Sequence, residues 1–216
     1  MSYPPSARLV TDAGDAIALM AKHPFAHLFS SHDGLAATRL PFATDVENGA
    51  PVRLRAHLNI QNPQAQALDG ASVLVVFSGA ATYVSPHWRA QATRAGTYDY
   101  EEVRVRGTAR IVSDKGFFVK LIDDLSALIE PQYAEVGDYP IWQTSMAPPG
   151  YIDRLFPFIL PFEIEVVSVE MVSKLHQHFP VEDQIAIAKH LSRSHRDGSR
   201  AIAEKIRKQM KAQGEE

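Results

Sequence analysis

The stretch SVLVVFSG, residues 72–79, is followed almost at once by ATYVSPHW, residues 81–88. Residues 73–77 of the first stretch would be apolar on both faces of a strand, which is typical of a strand inside a sheet. The second stretch brings Tyr, Ser, Pro, His and Trp together where a simple turn would be expected. We therefore predict a central strand that ends at the edge of a binding site.

The neighbouring segments supply further strands of the same sheet. In VRLRAHL (52–58) and EEVRVRGTARIV (101–112), apolar residues alternate with Arg or His, the two-residue period of a half-buried strand. The segment 25–42 is predicted to form a hairpin around Asp33-Gly34, and Asn48-Gly49 marks a second turn. With a further strand over 161–172, about six strands follow one another with few helical crossovers, which predicts an antiparallel sheet in a small closed or partly open barrel.

Helical patterns flank these strands and follow them. A helix capped by Thr11 or Asp12 is predicted before Pro24, and a second helix covers 116–130. Two more helices, about 181–194 and 198–212, end the chain. We therefore predict a mainly β, α+β domain with peripheral helices over residues 1–178, and a C-terminal helical tail over residues 179–216.

The composition narrows the classes of function. The chain of 216 residues has no cysteine, which excludes disulfides, thiolate zinc sites and a cysteine nucleophile. A net charge of −3 does not indicate a nucleic-acid-binding protein. Because the N-terminus has no apolar signal region and no segment reaches the length of a membrane span, we expect a soluble, cytoplasmic protein.

Five stretches in register carry a resemblance to a known family. They are HPFAHLFSSHDGLAATRLPF (23–42), LRAHLNIQNPQ (54–64), VFSGAATYVSPHW (76–88), YEEVRVRGTARIV (100–112) and GYIDRLFPFILPFEIEVVSVEMVSKLHQ (150–177). Together they resemble the FMN-binding negative transcriptional regulators of the PaiB type. The resemblance implies an antiparallel, six-stranded, FMN-binding split β-barrel, which forms a homodimer with flavin sites between the subunits.

The resemblance also points to the residues of the FMN site. FMN needs cationic or amide donors for its phosphate, polar partners for the ribityl chain and a flat wall for the ring. Tyr83 and Trp88 are aromatic, Ser85 is a hydroxyl donor, and Arg39 can meet a phosphate. Asn62 has a simpler interpretation, as the cap of a short helix that begins at Pro63. The full set of cofactor-binding candidates is Thr38, Arg39, His57, Asn59, Asn62, Tyr83, Ser85, Trp88, Lys174 and Gln177.

Several residues depart from the family pattern, among them Arg39 in place of a His and Tyr98 in place of a Trp. Asp99 replaces an Asn, and its charge near a phosphate would be repulsive unless Arg39 or Lys174 offset it. His176 and His178 replace Ser and Asn, and at strand spacing they would share one face with Lys174. These two histidines leave open a haem or metal site on the same barrel, although only two ligands are visible locally.

The C-terminal segment is basic, which leaves open a second class of function: a non-catalytic regulator that binds DNA or a protein partner through this tail. Residues 193–211 contain seven Arg or Lys, and Ile202, Ile206 and Met210 form a narrow apolar stripe. Packing of this helix on the barrel or on a partner subunit is favoured over DNA contact, since no helix-turn-helix pattern is present. The leading hypothesis is an FMN-dependent oxidoreductase or a flavin-linked transcriptional regulator. No catalytic side chain is assigned, because a flavin would carry the chemistry.

Overall fold

A computed structural model describes residues 9–10, 12–31, 34–90, 94–133, 137–212 and 214. The chain divides into two compact units. The hairpin unit comprises Thr11–Phe77 and Val103–Glu170, and the tail unit comprises Met1–Val10, Ser78–Glu102 and Met171–Glu216. Two residues of the sequence predictions, Thr11 and Asp33, lie outside the described residues.

The described residues form one antiparallel sheet with helices, which confirms the α+β split-barrel prediction. The sheet has the strand order β3-β2-β6-β7-β8-β5-β4, and β1 pairs with β8. It contains eight strands where the sequence suggested about six, because residues 36–47 form two strands and a short strand precedes the first helix. The strands are β1 Leu9–Val10, β2 Phe25–Ser30, β3 Ala36–Pro41, β4 Ala43–Glu47, β5 Ala50–Asn59, β6 Ser72–Val84, β7 Thr97–Ile111 and β8 Ile159–Lys174.

Local sequence explains the two hairpins of the hairpin unit. β2 and β3 pair in antiparallel register, with His27 opposite Arg39. β4 and β5 are joined at Asn48 and Gly49, whose φ angles of 51° and 77° are both positive. Asn-Gly is the dipeptide that a two-residue hairpin turn of this kind favours, because both residues tolerate positive φ. The sequence prediction of this turn is therefore confirmed.

Three helices belong to the hairpin unit: α1 Ala13–Lys22, α2 Lys115–Ile129 and α3 Tyr151–Leu155. Asp12 caps α1 by accepting a hydrogen bond from the Gly14 amide at 2.7 Å. The aromatic core consists of Phe42, Phe77 and Phe162, which pack edge to face and are almost completely buried.

Gly107 marks a close approach between strands rather than a turn. It lies inside β7, and a Cβ atom at this position would be 2.2 Å from the carbonyl oxygen of Glu165. Any side chain would therefore collide with backbone. This contact is the physical reason why only glycine fits at position 107.

The tail unit is built on α4 Val181–Ser192 and α5 Asp197–Ala212. The predicted stripe of Ile202, Ile206 and Met210 is buried in one apolar cluster with Val84 of β6 and Leu175. At the start of α5, a Cβ on Gly198 would be 2.8 Å from the carbonyl oxygen of Ala81, so the helix lies close to the strand backbone. None of the helices in the described ranges is long and apolar enough to cross a membrane.

Candidate functional site

Two exposed tyrosines form the most prominent aromatic surface of the tail unit. Tyr83 lies near the end of β6 and Tyr98 near the start of β7, and their side chains remain 47% and 60% exposed. The ring centroids are 5.8 Å apart at an interplanar angle of 68°. We call this pair the tyrosine wall. Large aromatic groups left this open to solvent are available to a flat ligand.

A glycine makes room for the tyrosine wall. A Cβ on Gly96 would be 2.0 Å from the Tyr83 hydroxyl oxygen and 2.4 Å from the ring carbon that bears it. The Tyr83 ring can therefore lie across the chain at this point only because residue 96 has no side chain.

Lys174 brings a positive charge to the same place. Its Nζ donates to the Thr97 hydroxyl and, at 2.5 Å, to the carbonyl oxygen of Tyr98. Gln177 holds the chain just after β8, since its side chain accepts from the Leu175 amide at 2.8 Å and donates to the Ser173 carbonyl at 2.7 Å. The tail unit thus brings Tyr83 and Lys174 together with Tyr98, while Gln177 supports the local backbone.

The other two candidates of this unit have local roles. Ser85 caps the short 3₁₀ turn Pro86–Trp88 by accepting from the His87 amide at 3.3 Å. The Trp88 ring stacks on His190 of α4, with centroids 5.5 Å apart and planes 9° apart. It also packs against the apolar cluster of the tail helices. One face of Trp88 therefore contributes to packing.

Two of the residues that depart from the family pattern, Asp99 and His176, meet inside the tail unit. Asp99 is 0% and His176 3% exposed, and His176 Nδ1 lies 2.6 Å from a carboxylate oxygen of Asp99. The other ring nitrogen lies 3.0 Å from Nη2 of Arg89. Because a guanidinium can only donate, Nε2 must accept, which makes His176 a neutral tautomer that donates through Nδ1–H to Asp99. A buried chain of three polar groups results.

The hydrogen bonds among Asp99, His176 and Arg89 correct two expectations from the sequence. β8 ends at Lys174, and His176 adopts a left-handed backbone with φ of 59°, so Lys174, His176 and His178 do not alternate along one strand face. The charge of Asp99 is met by His176 and, through it, by Arg89 rather than by Arg39 or Lys174. Both ring nitrogens of His176 are engaged, so iron ligation by either nitrogen would break the buried hydrogen bond that this nitrogen makes. Among the described residues, no group of three or more His, Asp or Glu side chains is arranged so that it could hold a metal ion.

In the hairpin unit, three of the candidates surround the 3₁₀ turn Pro63–Ala67. Asn62 caps this turn by accepting from the Gln64 amide at 2.9 Å, which confirms the capping interpretation. Its amide nitrogen donates to the Thr38 hydroxyl at 3.1 Å. Asn59 accepts from the amide of Gln61 at 2.8 Å. Asn62 and Thr38 therefore join β3 to this turn.

Arg39 lies on the exposed side of the hairpin unit. Its guanidinium carbon is 4.5 Å from the centroid of the Phe25 ring, and its Nε donates to the Phe25 carbonyl at 3.3 Å. This arrangement orients Arg39 while the side chain remains exposed. The charge thus stays accessible to an anion.

His57 lies against α2 in the hairpin unit. Its ring meets Phe118 edge on, with centroids 5.5 Å apart, and Nδ1 is buried with no hydrogen-bond partner among the described residues. Burial lowers the pKa of His57, because desolvation penalises the charged imidazolium. The neighbouring polar residue Arg55 is buried in ion pairs with Asp45 and Asp124, both at 2.7 Å. Helix α2 therefore covers the polar face of β5, which the alternation alone left open to solvent.

Sequence reasoning missed Arg89, Phe179 and Asp183. The Arg89 guanidinium lies 4.6 Å from the ring centroid of Phe179, and Asp183 accepts from the Ala90 amide at 2.8 Å. One signal was available: Asp99 and His176 both depart from the pattern, and a new acid with a new base is the combination that a direct contact requires.

Comparison with known proteins identifies a protein family and a related protein. Residues 2–168 match the family model described as "Putative FMN-binding domain". The uncharacterized protein AN0679 of Emericella nidulans is 26% identical over 207 residues, which cover 79% of this chain and 80% of that protein.

Two solved structures share the fold. The FAD and heme binding protein from Mycobacterium smegmatis matches with a TM-score of 0.57 at 15% identity, covering 83% of this chain and 79% of that one. A putative 5-nitroimidazole antibiotic resistance protein from Bacteroides thetaiotaomicron VPI-5482 matches with a TM-score of 0.55 at 12% identity, covering 76% and 84%. At such low identity the similarity concerns the fold alone.

Proposed function

This chain belongs to the family described as "Putative FMN-binding domain", and we propose that it binds FMN at the tyrosine wall of the tail unit. The observation that carries the proposal is the exposed pair of rings, Tyr83 and Tyr98, with the half-buried Lys174 ammonium bonded to the Tyr98 carbonyl beside them. Flavin-dependent oxidoreduction is the activity that such binding would serve. Regulation of transcription by flavin occupancy is the other use that the resemblance implies.

The chemistry of the surface matches the needs of the cofactor. Two exposed aromatic rings can cover part of the isoalloxazine ring, and tyrosine hydroxyls can donate to its polar edge or to the ribityl chain. Lys174 supplies a compact cation for the phosphate. Gly96 supports the proposal independently, because any side chain there would displace Tyr83.

The buried position of Asp99 removes an objection to FMN. A carboxylate beside Tyr98 would repel a phosphate if it faced the same surface. Its side chain is instead 0% exposed and hydrogen-bonded to His176. Tyr98 faces solvent and Asp99 faces the interior, as neighbouring residues of a strand do.

The candidates of the hairpin unit enter the proposal through the resemblance. Arg39 is exposed and oriented by Phe25, so it is suited to an anionic group. Thr38, Asn59 and Asn62 offer hydroxyl and amide groups. His57, the homodimer and the cytoplasmic location remain predictions.

Bound FMN would supply the electron-transfer chemistry. The residues of this chain would bind and orient it: the tyrosines by contact with the ring, and Lys174 by its charge. We assign no proton transfer to a side chain.

Titration of FMN into the purified protein, followed by quenching of flavin fluorescence, tests the proposal. We expect saturable binding that Tyr98→Ala weakens about two- to twelvefold, since an aromatic contact contributes about 0.5–1.5 kcal/mol beyond area burial. Tyr139→Ala is the matched control, because Tyr139 is 81% exposed and lies in the hairpin unit away from the wall residues in sequence. Absence of binding to the wild type, or equal weakening by both variants, would refute the proposal.

The nucleic-acid alternative can be tested without removing the tail. Deleting α5 would expose the apolar cluster around Ile202 and Ile206, so loss of binding would not be interpretable. Lys208→Glu changes an exposed charge and leaves that cluster intact. Salt-dependent DNA retention that this variant weakens would support the alternative, and no retention at low salt would end it.

A further inference from the structure

A cavity in the tail unit carries chemistry that the flavin proposal does not use. It has a volume of about 470 Å³, within the range of small-molecule sites. Its walls include Arg89, Arg94, His178, Phe179, Glu182 and Asp183. The tyrosine wall contributes none of the residues that line it.

One wall of the cavity presents two guanidinium groups. Arg89 and Arg94 lie over the same Phe179 ring, with their guanidinium carbons 4.6 and 5.6 Å from its centroid. Arg89 is only 7% exposed. Its Nη1 donates to the carbonyls of Arg94 and Ala95, both at 3.3 Å. Among the described residues its buried Nε–H has no acceptor.

The Asp99–His176 pair holds Arg89 in this position. Nη2 donates to the neutral His176, whose other nitrogen is bonded to the buried carboxylate of Asp99. Two sides of the guanidinium are therefore fixed by protein, and Nε remains as a donor whose burial without a partner is costly. The Arg94 side chain is exposed, so its guanidinium can meet an oxyanion in the cavity, and the buried Arg89 adds a second positive charge beside it.

The remaining charges of the lining are negative. Glu182 is exposed in the first turn of α4, and Asp183 is 8% exposed, with its carboxylate accepting from the Ala90 amide. A ligand that carried only an anion would face these carboxylates uncompensated. A ligand that carried only a cation would face the two guanidiniums.

We propose that this cavity binds a small zwitterion of the α-amino acid type. Its carboxylate meets Arg94, its ammonium meets Glu182, and its apolar side chain packs beside Phe179. The cavity lined by charges of both signs around one aromatic ring carries this assignment. Binding at this site does not depend on FMN.

Calorimetry on the purified full chain, with no FMN added, tests the charge pattern of the ligand. The probes are L-phenylalanine and L-norvaline, each compared with its analogue lacking the amino group and its analogue lacking the carboxylate. These analogues are 3-phenylpropanoate with phenethylamine, and pentanoate with butylamine. We expect at least one of the two amino acids to bind about tenfold or more tightly than both of its analogues, since a hydrogen bond to a charged group contributes about 1.5–3 kcal/mol.

Variants assign the two ends of the ligand. Arg94→Gln should weaken the amino acid and its carboxylate analogue alike. Glu182→Gln should weaken the amino acid and spare the carboxylate analogue, so that the difference between them shrinks. Arg196→Gln, at an exposed arginine outside the lining, is the matched control and should change neither. No binding of either amino acid, a carboxylate that binds as tightly as its amino acid, or equal losses in Arg94→Gln and Arg196→Gln would each overturn the proposal.

Discussion

The contact between Asp99 and His176 predicts a strong energetic coupling. Their side chains are 0% and 1% exposed, and they share a hydrogen bond of 2.6 Å. Replacing His176 by Ser leaves a buried carboxylate whose second oxygen already lacks a partner among the described residues. Because His176 is neutral, the loss is that of a hydrogen bond to a buried charged group, which costs about 1.5–3 kcal/mol. We expect His176→Ser to lower the free energy of unfolding by this amount.

Replacing the other partner, Asp99, should lower the free energy of unfolding by less. Asp99→Asn removes the charge but keeps an oxygen that can accept from Nδ1–H of His176, so we expect a loss of about 1–2 kcal/mol. The double variant no longer contains a buried carboxylate. Its loss should therefore fall short of the sum of the two single losses by roughly 1–3 kcal/mol, the range measured for residues in direct contact.

Urea unfolding followed by circular dichroism measures all four proteins, with equal m-values as the check that the unfolding reaction is unchanged. The exposed pair Arg110 and Glu165, whose side chains are 64% and 68% exposed, serves as the control cycle. Its coupling should be small because water screens the two charges. Additive losses at Asp99 and His176, within about 0.5 kcal/mol, would refute the assignment of the buried contact.

Three further outcomes follow from the contacts. Gly96→Ala should weaken FMN binding severalfold with little loss of stability, because Tyr83 is exposed and can swing away; the fluorescence titration and a melting curve measure both. Gly107→Ala should destabilise the protein by about 1–3 kcal/mol or more in urea unfolding, because its Cβ would meet the Glu165 backbone, which cannot move aside as a side chain can. Burial lowers the pKa of His57 below its ordinary 6.5, so the unfolded chain binds the proton more readily than the folded protein does. The protein therefore loses stability through His57 as the pH falls below that value. His57→Gln should lose less stability between pH 7 and pH 5 than the wild type does, as measured by urea unfolding at the two pH values.

Local pattern was sufficient for most of the secondary structure. The alternation in residues 52–58 marked β5, because one side of a strand faces a core, and the Asn-Gly pair marked the turn that precedes it. The caps at Asp12 and Asn62 were visible for the same reason, since each is a contact between residues two positions apart. The alternation did not reveal that α2 covers the polar face of β5. That contact joins segments far apart in the chain.

In the candidate site, too, the sequence indicated some residues but not the contacts between distant segments. Tyr83 and Lys174 could be chosen by residue type and by resemblance, and the tail unit brings both to Tyr98. The partner of Asp99 could not be predicted from the sequence, because His176 is 77 positions away along the chain. Strand spacing failed there since β8 ends at Lys174 and His176 takes a left-handed backbone.

Local sequence patterns accounted for six of the eight strands, for the main helices and for the family, because periodicity, caps and turns act over a few residues and the five motifs lie in register along the chain. The stretch over residues 72–88 also indicated where a central strand ends at polar and aromatic residues. How those residues are used depends on tertiary packing: Tyr83 faces solvent beside Tyr98, Trp88 stacks on His190, and Asp99 turns inward to His176. Such pairings depend on which distant segments pack together, and no local pattern encodes the charge balance of a buried contact.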